Sequence, residues 1–448
     1  MSNQKKRFVV DQYDNRFTVK VEEIARGGQG AIYQTEEGDL AVKQPLNECG
    51  DIDRDPKSAK KFEALISLLR SLPLPQELHV CIPLSALKSE PGYVMKMLSG
   101  MKAYEHFNRV ASAKEVEKWC ALHPNIALPD DQHLRGRLVH FIQTGSFKAR
   151  YKVLYKCACE LARLHCAGIV YGDLSPGNLF MTEDLSEVWL IDPDNMRLDS
   201  LKGAKFVYTP HYGAPELVQL RIGATSASDI WAFAVMAFES LYLQHPFIGQ
   251  GIDGEDAWDA DESDVQDEDS EEKAYRGELP FIDDPEDDSN RSSEGFPRDI
   301  FAPIALRVLF VRTLGYGRTD PFVRVTAPIW AQLFAKLHDS AIECPKCGMT
   351  YDVSNDACPF CEQAKPAYVQ LSYEGRKLVF VKRQGNEPFV VDIPHRFFHP
   401  FSVVFGDQSV YQVTIDFDKK TVNEVRMTTK MPFKPEVSFI RSEVSDEF

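Results

Sequence analysis

Gly172-Asp173-Leu174-Ser175-Pro176-Gly177-Asn178, followed by Ile191-Asp192-Pro193-Asp194, is the stretch whose reading decides the fold. An aspartate precedes an asparagine by five positions, and a second aspartate comes fourteen residues after that asparagine. These residue types at this spacing suit the transfer of a phosphoryl group from ATP. One carboxylate accepts or orients the proton of an attacking hydroxyl. An amide oxygen and a second carboxylate hold the magnesium ions that neutralise the phosphates.

Working outward, glycines and a lysine fall where such chemistry needs them. Phe17-Thr18-Val19-Lys20-Val21 alternates like a strand, Gly27-Gly28-Gln29-Gly30 breaks it, and Ala31-Ile32-Tyr33 resumes. Gly27, Gly28 and Gly30 can bring backbone N–H groups over phosphates, although a glycine-rich hairpin turn fits the same residues. Ala41-Val42-Lys43 ends the next apolar stretch; taken alone, Lys43 is a strand-end lysine. Residues 56 to 71 read as a helix with Phe62, Leu65, Ile66 and Leu69 on one face, and Glu63 lies in it. Helices are also expected over 150–167, over 226–243 (apolar all round) and within 299–337.

The set, in this order and with these gaps, resembles the eukaryotic-like protein kinase family over roughly residues 15 to 338. The resemblance implies that Lys43 is the phosphate lysine and Glu63 its helix partner. It implies that Asp173 is the catalytic base, and that Asn178 and Asp192 are the magnesium ligands. Met95 to Leu98 match the segment between the lobes, so backbone groups near Met95 and Met97 meet the adenine. A rival resemblance, to small-molecule kinases of the aminoglycoside type, fits Gly-Asp-Leu-x-Pro-Gly-Asn and Ile-Asp-x-Asp equally well. Three downstream motifs favour the protein kinases. Thr209-Pro210-His211-Tyr212-Gly213-Ala214-Pro215-Glu216 resembles the end of an activation segment. Asp229, in Ser228-Asp229-Ile230-Trp231, would brace the catalytic loop. Arg324 would pair with Glu216.

The departures from the pattern are as informative. The family's His-Arg-Asp is Tyr171-Gly172-Asp173 here, so the arginine that reads a phosphorylated activation segment is absent. Asp-Phe-Gly is Asp192-Pro193-Asp194, with proline fixing φ, and the first loop glycine is Ala25. The lysine two residues after the catalytic aspartate is Ser175. Loss of one charged clamp on a transferring phosphoryl group costs on the order of 10²–10³ in rate if nothing replaces it. An ATP-binding scaffold without turnover is therefore the alternative function.

Cys344-Pro345-Lys346-Cys347 and Cys358-Pro359-Phe360-Cys361 are two knuckles separated by ten residues. Four thiolates so spaced close a tetrahedral zinc site, structural because no coordination position stays open; a redox pair is the alternative. The other six cysteines (Cys49, Cys81, Cys120, Cys157, Cys159, Cys166) are scattered, as expected for a reducing, cytoplasmic setting. The polar, basic N-terminus does not read as a signal peptide. The apolar run Trp231–Leu243 contains Glu239 and is too short to span a membrane.

The net charge of −16 is confined to one segment. Between Asp253 and Glu294 stand 19 acidic and 3 basic residues, so the remainder is balanced and does not suggest broad nucleic-acid binding. Residues 251–295 are expected to be a disordered or loosely ordered insertion, with Leu279-Pro280-Phe281-Ile282 able to dock. Its polyanion is either simply solvated or recruits a basic partner.

The expected architecture is α+β: a two-lobed kinase fold, then a zinc ribbon, then a small β-rich domain. The segments are 1–98 (N-lobe with hinge), 99–338 (C-lobe with the insertion), 339–365 (ribbon) and 366–448 (β-rich, role unread). Strands are expected at 368–371, 378–381, 389–391, 402–405 and 411–415. The implied cofactors are ATP, Mg²⁺ and structural Zn²⁺, and the implied partner is a protein substrate. The ribbon directly behind the kinase also resembles bacterial kinases encoded beside a metal-dependent Ser/Thr phosphatase and a von Willebrand-type domain protein. The β-rich domain is then a candidate module for binding the target.

Overall fold

The computed structural model describes residues 7–27, 30–199, 206–252, 270–383, 385, 387–400, 402–405, 410–425 and 430–441. Its N-terminal part is a six-stranded antiparallel sheet in the order β1-β2-β3-β4-β6-β5. The strands are β1 (Arg7–Val10), β2 (Arg16–Gly27), β3 (Gly30–Thr35), β4 (Leu40–Gln44), β5 (Ser85–Ala86) and β6 (Tyr93–Lys96). Gly27 pairs with Gly30 at the β2–β3 turn, and Lys43 lies on β4, inside the sheet. Helix α1 (Pro56–Ser71) crosses the sheet. Asp55 caps it by accepting from Lys57 N at 3.0 Å, and Pro56 occupies the first turn, where a missing N–H costs nothing. Its buried stripe is Ile66 and Leu69, the period read from the sequence.

A short strand β7 (Lys102–Ala103) leads into the helical lobe of α2 (Ala113–Leu122), α3 (Gln132–Gln143) and α4 (Ser146–Cys166). After α4, two short antiparallel pairings carry the acidic motifs. Strand β8 (Ile169–Val170) ends where the catalytic run begins, and β9 (Leu179–Met181) starts where it ends. β10 (Val188–Leu190) ends just before Asp192, and β11 (Arg197–Leu198) follows it. Because β9 pairs with β10 and β8 with β11, the two loops are forced side by side.

Next come α5 (Pro215–Val218) and α6 (Ser226–Tyr242). α6 starts at a Thr225/Ser228 capping box and is buried on nearly every face, as its unbroken apolarity requires. The lobe closes with α7 (Ser270–Tyr275), α8 (Arg298–Phe301), α9 (Ile304–Phe310), a π-helical turn (Val311–Tyr316), α10 (Gly317–Thr319) and α11 (Ala327–Ser340).

Residues 270–295 correct the expectation of a loose insertion, while 253–269 lie outside the described residues. Ala274, Phe281, Ile282 and Asn290 are fully or nearly fully buried. Asn290 Nδ2 donates to Phe247 O (2.9 Å) and Pro280 O (2.7 Å), tying the segment to the lobe. Acidic composition hid this because the carboxylates face outward while a few apolar residues carry the packing. Leu279–Ile282 does dock.

The ribbon strands β12 (Ala341–Glu343) and β13 (Thr350–Asp352) continue directly from α11. Cys344, Cys347, Met349, Tyr351 and Val353 belong to the same buried core as the lobe helices. Lys148 Nζ donates to Ala341 O (2.8 Å), and Thr350 N to Ser146 Oγ (3.1 Å).

The β-rich region has two three-stranded sheets. One is formed by β14 (Tyr368–Tyr373), β15 (Arg376–Val381) and β19 (Glu436–Ile440), the other by β16 (Phe389–Pro394), β17 (Val410–Asp416) and β18 (Thr421–Glu424). They share a core of Val369, Leu371, Ile393, Phe397, Val413 and Ile415. The expected strand 402–405 is instead a helical turn, α12 (Ser402–Phe405). Val403 and Val404 are both buried there in the lobe core. Arg163 Nε donates to Val404 O (2.9 Å), and Arg396 forms a two-pronged pair with Asp339 at 2.9 and 2.8 Å. The region is seated on the lobe.

Candidate active site

The catalytic run is built from below. Asp229, on the buried α6, accepts from Tyr171 N and Gly172 N, both at 2.8 Å, and meets His165 Nε2 at 3.0 Å. Two backbone donors on one carboxylate hold the loop rigid. Gly172 has φ +88°, and a Cβ there would lie 3.0 Å from Asn195 O. Glycine therefore suits this position, where the family keeps an arginine.

Asp173 is buried, and its Oδ1 accepts from Thr209 Oγ1 at 2.7 Å. Thr209 thus reaches the Asp173 carboxylate, the contact the resemblance implied. Asn178 Nδ2 donates to Asp173 O (2.9 Å), which fixes the amide and leaves its oxygen for a cation. Ile191 N donates to Asn178 O (3.0 Å), so Asp192 follows immediately beside the asparagine. Burial pushes the Asp192 carboxyl up to about 6, with Lys43 pulling the other way. A carboxylate in such surroundings together with an amide oxygen is the donor chemistry that magnesium takes.

Lys43 is buried, 4% exposed. Burial alone would lower it, but Asp192 and Asp194 outweigh that and hold it charged. Its Nζ pairs with Asp192 and, at 2.9 Å, with Asp194 Oδ2. The expected partner Glu63 is not brought to it. Glu63 lies on the exposed side of α1, one residue out of phase with the stripe of Phe62, Ile66 and Leu69 that faces the sheet. Phe62 takes the inward position and approaches the Tyr93 ring at 6.4 Å.

Gly30 is required by packing, because a Cβ would lie 2.6 Å from Gln44 O and 3.4 Å from Lys43 Cε. Gly27 faces open space, and Gly28 lies outside the described residues. Met95, at the end of β6, packs near Ile66, Ala86 and Tyr93, and Met97 N donates to Asp39 O at 2.8 Å. The Met97 amide is thereby engaged with the N-lobe.

Two site residues were not assigned from sequence. Asp194 stood in the quoted motif without a role, and only its spacing of two from Asp192 hinted at one. Tyr93, whose hydroxyl donates to Asp194 Oδ1 at 3.0 Å, carries no sequence signal.

Below the site, Arg324 Nη1 and Nη2 each meet a Glu216 carboxylate oxygen at 2.7 Å in a buried fork. This pair, the Thr209–Asp173 bond and the Asp229 clamp are the contacts that the protein-kinase resemblance implied for the helical lobe. Part of the chain is similar to the protein kinase domain. Residues 101–283 match the family model described as "Protein kinase domain". Among curated proteins, the chain is 28% identical over 152 residues to "Ribosomal protein S6 kinase alpha-6" of Danio rerio, covering 28% of this chain and 20% of that one. It is 33% identical over 125 residues to "Protein kinase C delta type" of Homo sapiens, covering 26% and 18%. It is 37% identical over 101 residues to "Ribosomal protein S6 kinase alpha-3" of Mus musculus, covering 22% and 13%. The chain thus spans a fifth or less of the length of these relatives.

The four knuckle cysteines converge as expected, with their sulfurs all within 4.8 Å of one another. Cys344 and Cys361 are 3.5 Å apart, Cys347 and Cys358 3.7 Å. Four sulfurs about 2.3 Å from one ion stand about 3.8 Å apart, so the set fits tetrahedral zinc. The remaining thiols include Cys81 and Cys159, which burial pushes up to about 11 and about 12 and so keeps unreactive. No helix among the described residues is long and apolar enough to cross a membrane.

Proposed function

We propose that this chain transfers the γ-phosphoryl group of ATP to serine or threonine hydroxyls of a protein substrate. The observation that carries the reading is Thr209 Oγ1 bonded to Asp173 Oδ1 at 2.7 Å, on a loop clamped by Asp229. Asp173 accepts or orients the proton of the incoming hydroxyl. Asn178 and Asp192 would hold Mg²⁺, which supplies charge neutralisation at the phosphates. Lys43 positions the phosphates, Gly27 to Gly30 approach them, and the hinge around Met95 and Met97 receives the adenine.

Zinc at Cys344, Cys347, Cys358 and Cys361 would be structural, closing the ribbon against α4 and α11. The activation-segment threonine supports a Ser/Thr preference. The buried thiols support a cytoplasmic setting. By the resemblance alone, the partners would include a phosphatase and a von Willebrand-type domain protein, and the β-rich region is the candidate for target binding. Ser175, where the family keeps a lysine, favours one second reading: an ATP-binding scaffold without turnover.

The test is phosphoamino-acid analysis after incubation with γ-labelled ATP and Mg²⁺, alongside ADP release. Label on serine and threonine is expected. Stabilisation by Mg-ATP with neither label nor ADP release would replace the proposal with the scaffold.

A further inference from the structure

We propose that Asp194, braced by Tyr93, and not a glutamate on α1, holds Lys43 in place for the phosphates. This rests on the kinase reading above and adds a positioning residue to it.

The geometry is closed on all sides. Lys43 Nζ meets Asp194 Oδ2 at 2.9 Å, and the other oxygen of that carboxylate accepts from Tyr93 OH at 3.0 Å. Tyr93 is fully buried, its ring lies 5.8 Å from Lys43 Nζ, and Phe62 of α1 packs on the far side. The inward position on α1 is therefore aromatic, and the carboxylate comes from the acidic motif itself. Asp192, in the left-handed region (φ 55°), and Pro193 at the start of a tight turn closed by Met196 N to Pro193 O (2.9 Å) present both carboxylates to the same ammonium. A glycine at 194, as in Asp-Phe-Gly, would have no side chain to offer.

The arrangement solves a conflict. Asp192 would be a ligand of a bound magnesium ion, and in that role it would be a poorer partner for Lys43. A buried ammonium left without a partner is strongly disfavoured. Asp194 would keep the lysine paired and aimed when Asp192 is engaged by the ion. Lys43 is then held whether or not α1 shifts, so α1 does not act as the switch through a glutamate.

The test is calorimetric titration of the full chain with Mg-ATP, which does not depend on turnover. Removing a charge-assisted bond at a buried site is expected to weaken binding by about tenfold or more for Asp194→Asn, and by about threefold for Tyr93→Phe. Glu63→Gln should bind within about twofold of the unaltered chain, since surface carboxylates contribute little. In a Lys43→Met background, Asp194→Asn should add less than about twofold, because it acts through the lysine. Unchanged affinity in Asp194→Asn, an equal loss in Glu63→Gln, or a loss that persists without the lysine overturns the proposal. So does full rescue of Asp194→Asn by a roughly tenfold rise in Mg²⁺, which would make Asp194 a metal ligand. Tyr93→Phe guards against a folding defect in the first variant. The predicted binding pattern without phosphoryl transfer would refute only the kinase reading; transfer with the wrong pattern would refute only the role of Asp194.

Discussion

Replacing Arg324 with leucine should melt the lobe well before it touches the chemistry. The Arg324 side chain is 1% exposed and that of Glu216 9%. The guanidinium makes two 2.7 Å bonds to Glu216, and donates to Gly317 O (2.9 Å) and Ala227 O (3.0 Å). It also lies over the Trp231 ring at 4.8 Å. Its loss strands a buried carboxylate and two carbonyls. Breaking one side of a buried pair costs about 3–5 kcal/mol. At about 2–4 °C per kcal/mol for a lobe of this size, the melting temperature should fall by about 10 °C. The double variant Glu216→Leu/Arg324→Leu removes both charges and should recover part of that loss. Scanning calorimetry of the unaltered chain, the single variants Arg324→Leu and Glu216→Leu, and the double variant measures it. A fall under about 2 °C for Arg324→Leu, or additive losses in the double variant, would refute the reasoning.

Three further outcomes follow from the geometry. The chain should hold one zinc by elemental analysis. A strong chelator or Cys347→Ser should lower the melting temperature of the kinase lobe itself, because the ribbon shares that lobe's core; a chelator that leaves the lobe unchanged would contradict this. Gly172→Ala should lower stability by about 1–3 kcal/mol and reduce phosphoryl transfer, since φ is +88° and the new Cβ meets Asn195 O; equal stability would contradict it. Burial lowers His106, His140, His245 and His338, with His245 brought from 6.5 to about 4. Each takes its proton at lower pH in the fold than in the unfolded chain, so stability should drop as pH falls below about 6.5, and for His245 the loss continues toward about 4. A melting temperature that rises over that window would count against it.

What the sequence disclosed and what it hid divide along physical lines. The helix over 56–71, the catalytic loop, Asp229 and the Arg324–Glu216 pair were legible because each depends on local periodicity or on a motif whose residue types the chemistry demands. Glu63 failed because a motif gap fixes only which helix carries a residue, and one position along a helix turns a side chain by about 100°. Asp194 and Tyr93 were missed because their meeting is tertiary: β6 and the loop after β10 are a hundred residues apart. Ser402-Val403-Val404-Phe405 looked like a strand because of its paired valines, but β-branched propensity is weak against burial on a lobe surface. The packing of 270–295 was concealed by composition, since a handful of buried residues such as Phe281 and Asn290 outweighs many solvated carboxylates.

The initial rate of γ-phosphoryl transfer by the unaltered chain and by Asp173→Asn, at saturating Mg-ATP, tests the central claim most directly. The substitution keeps the shape of the side chain that receives the Thr209 hydroxyl but removes the carboxylate proposed to handle the substrate's proton. A fall of about 10²–10⁴ in rate with Mg-ATP affinity retained is the predicted result. Equal rates in the two proteins would contradict the account.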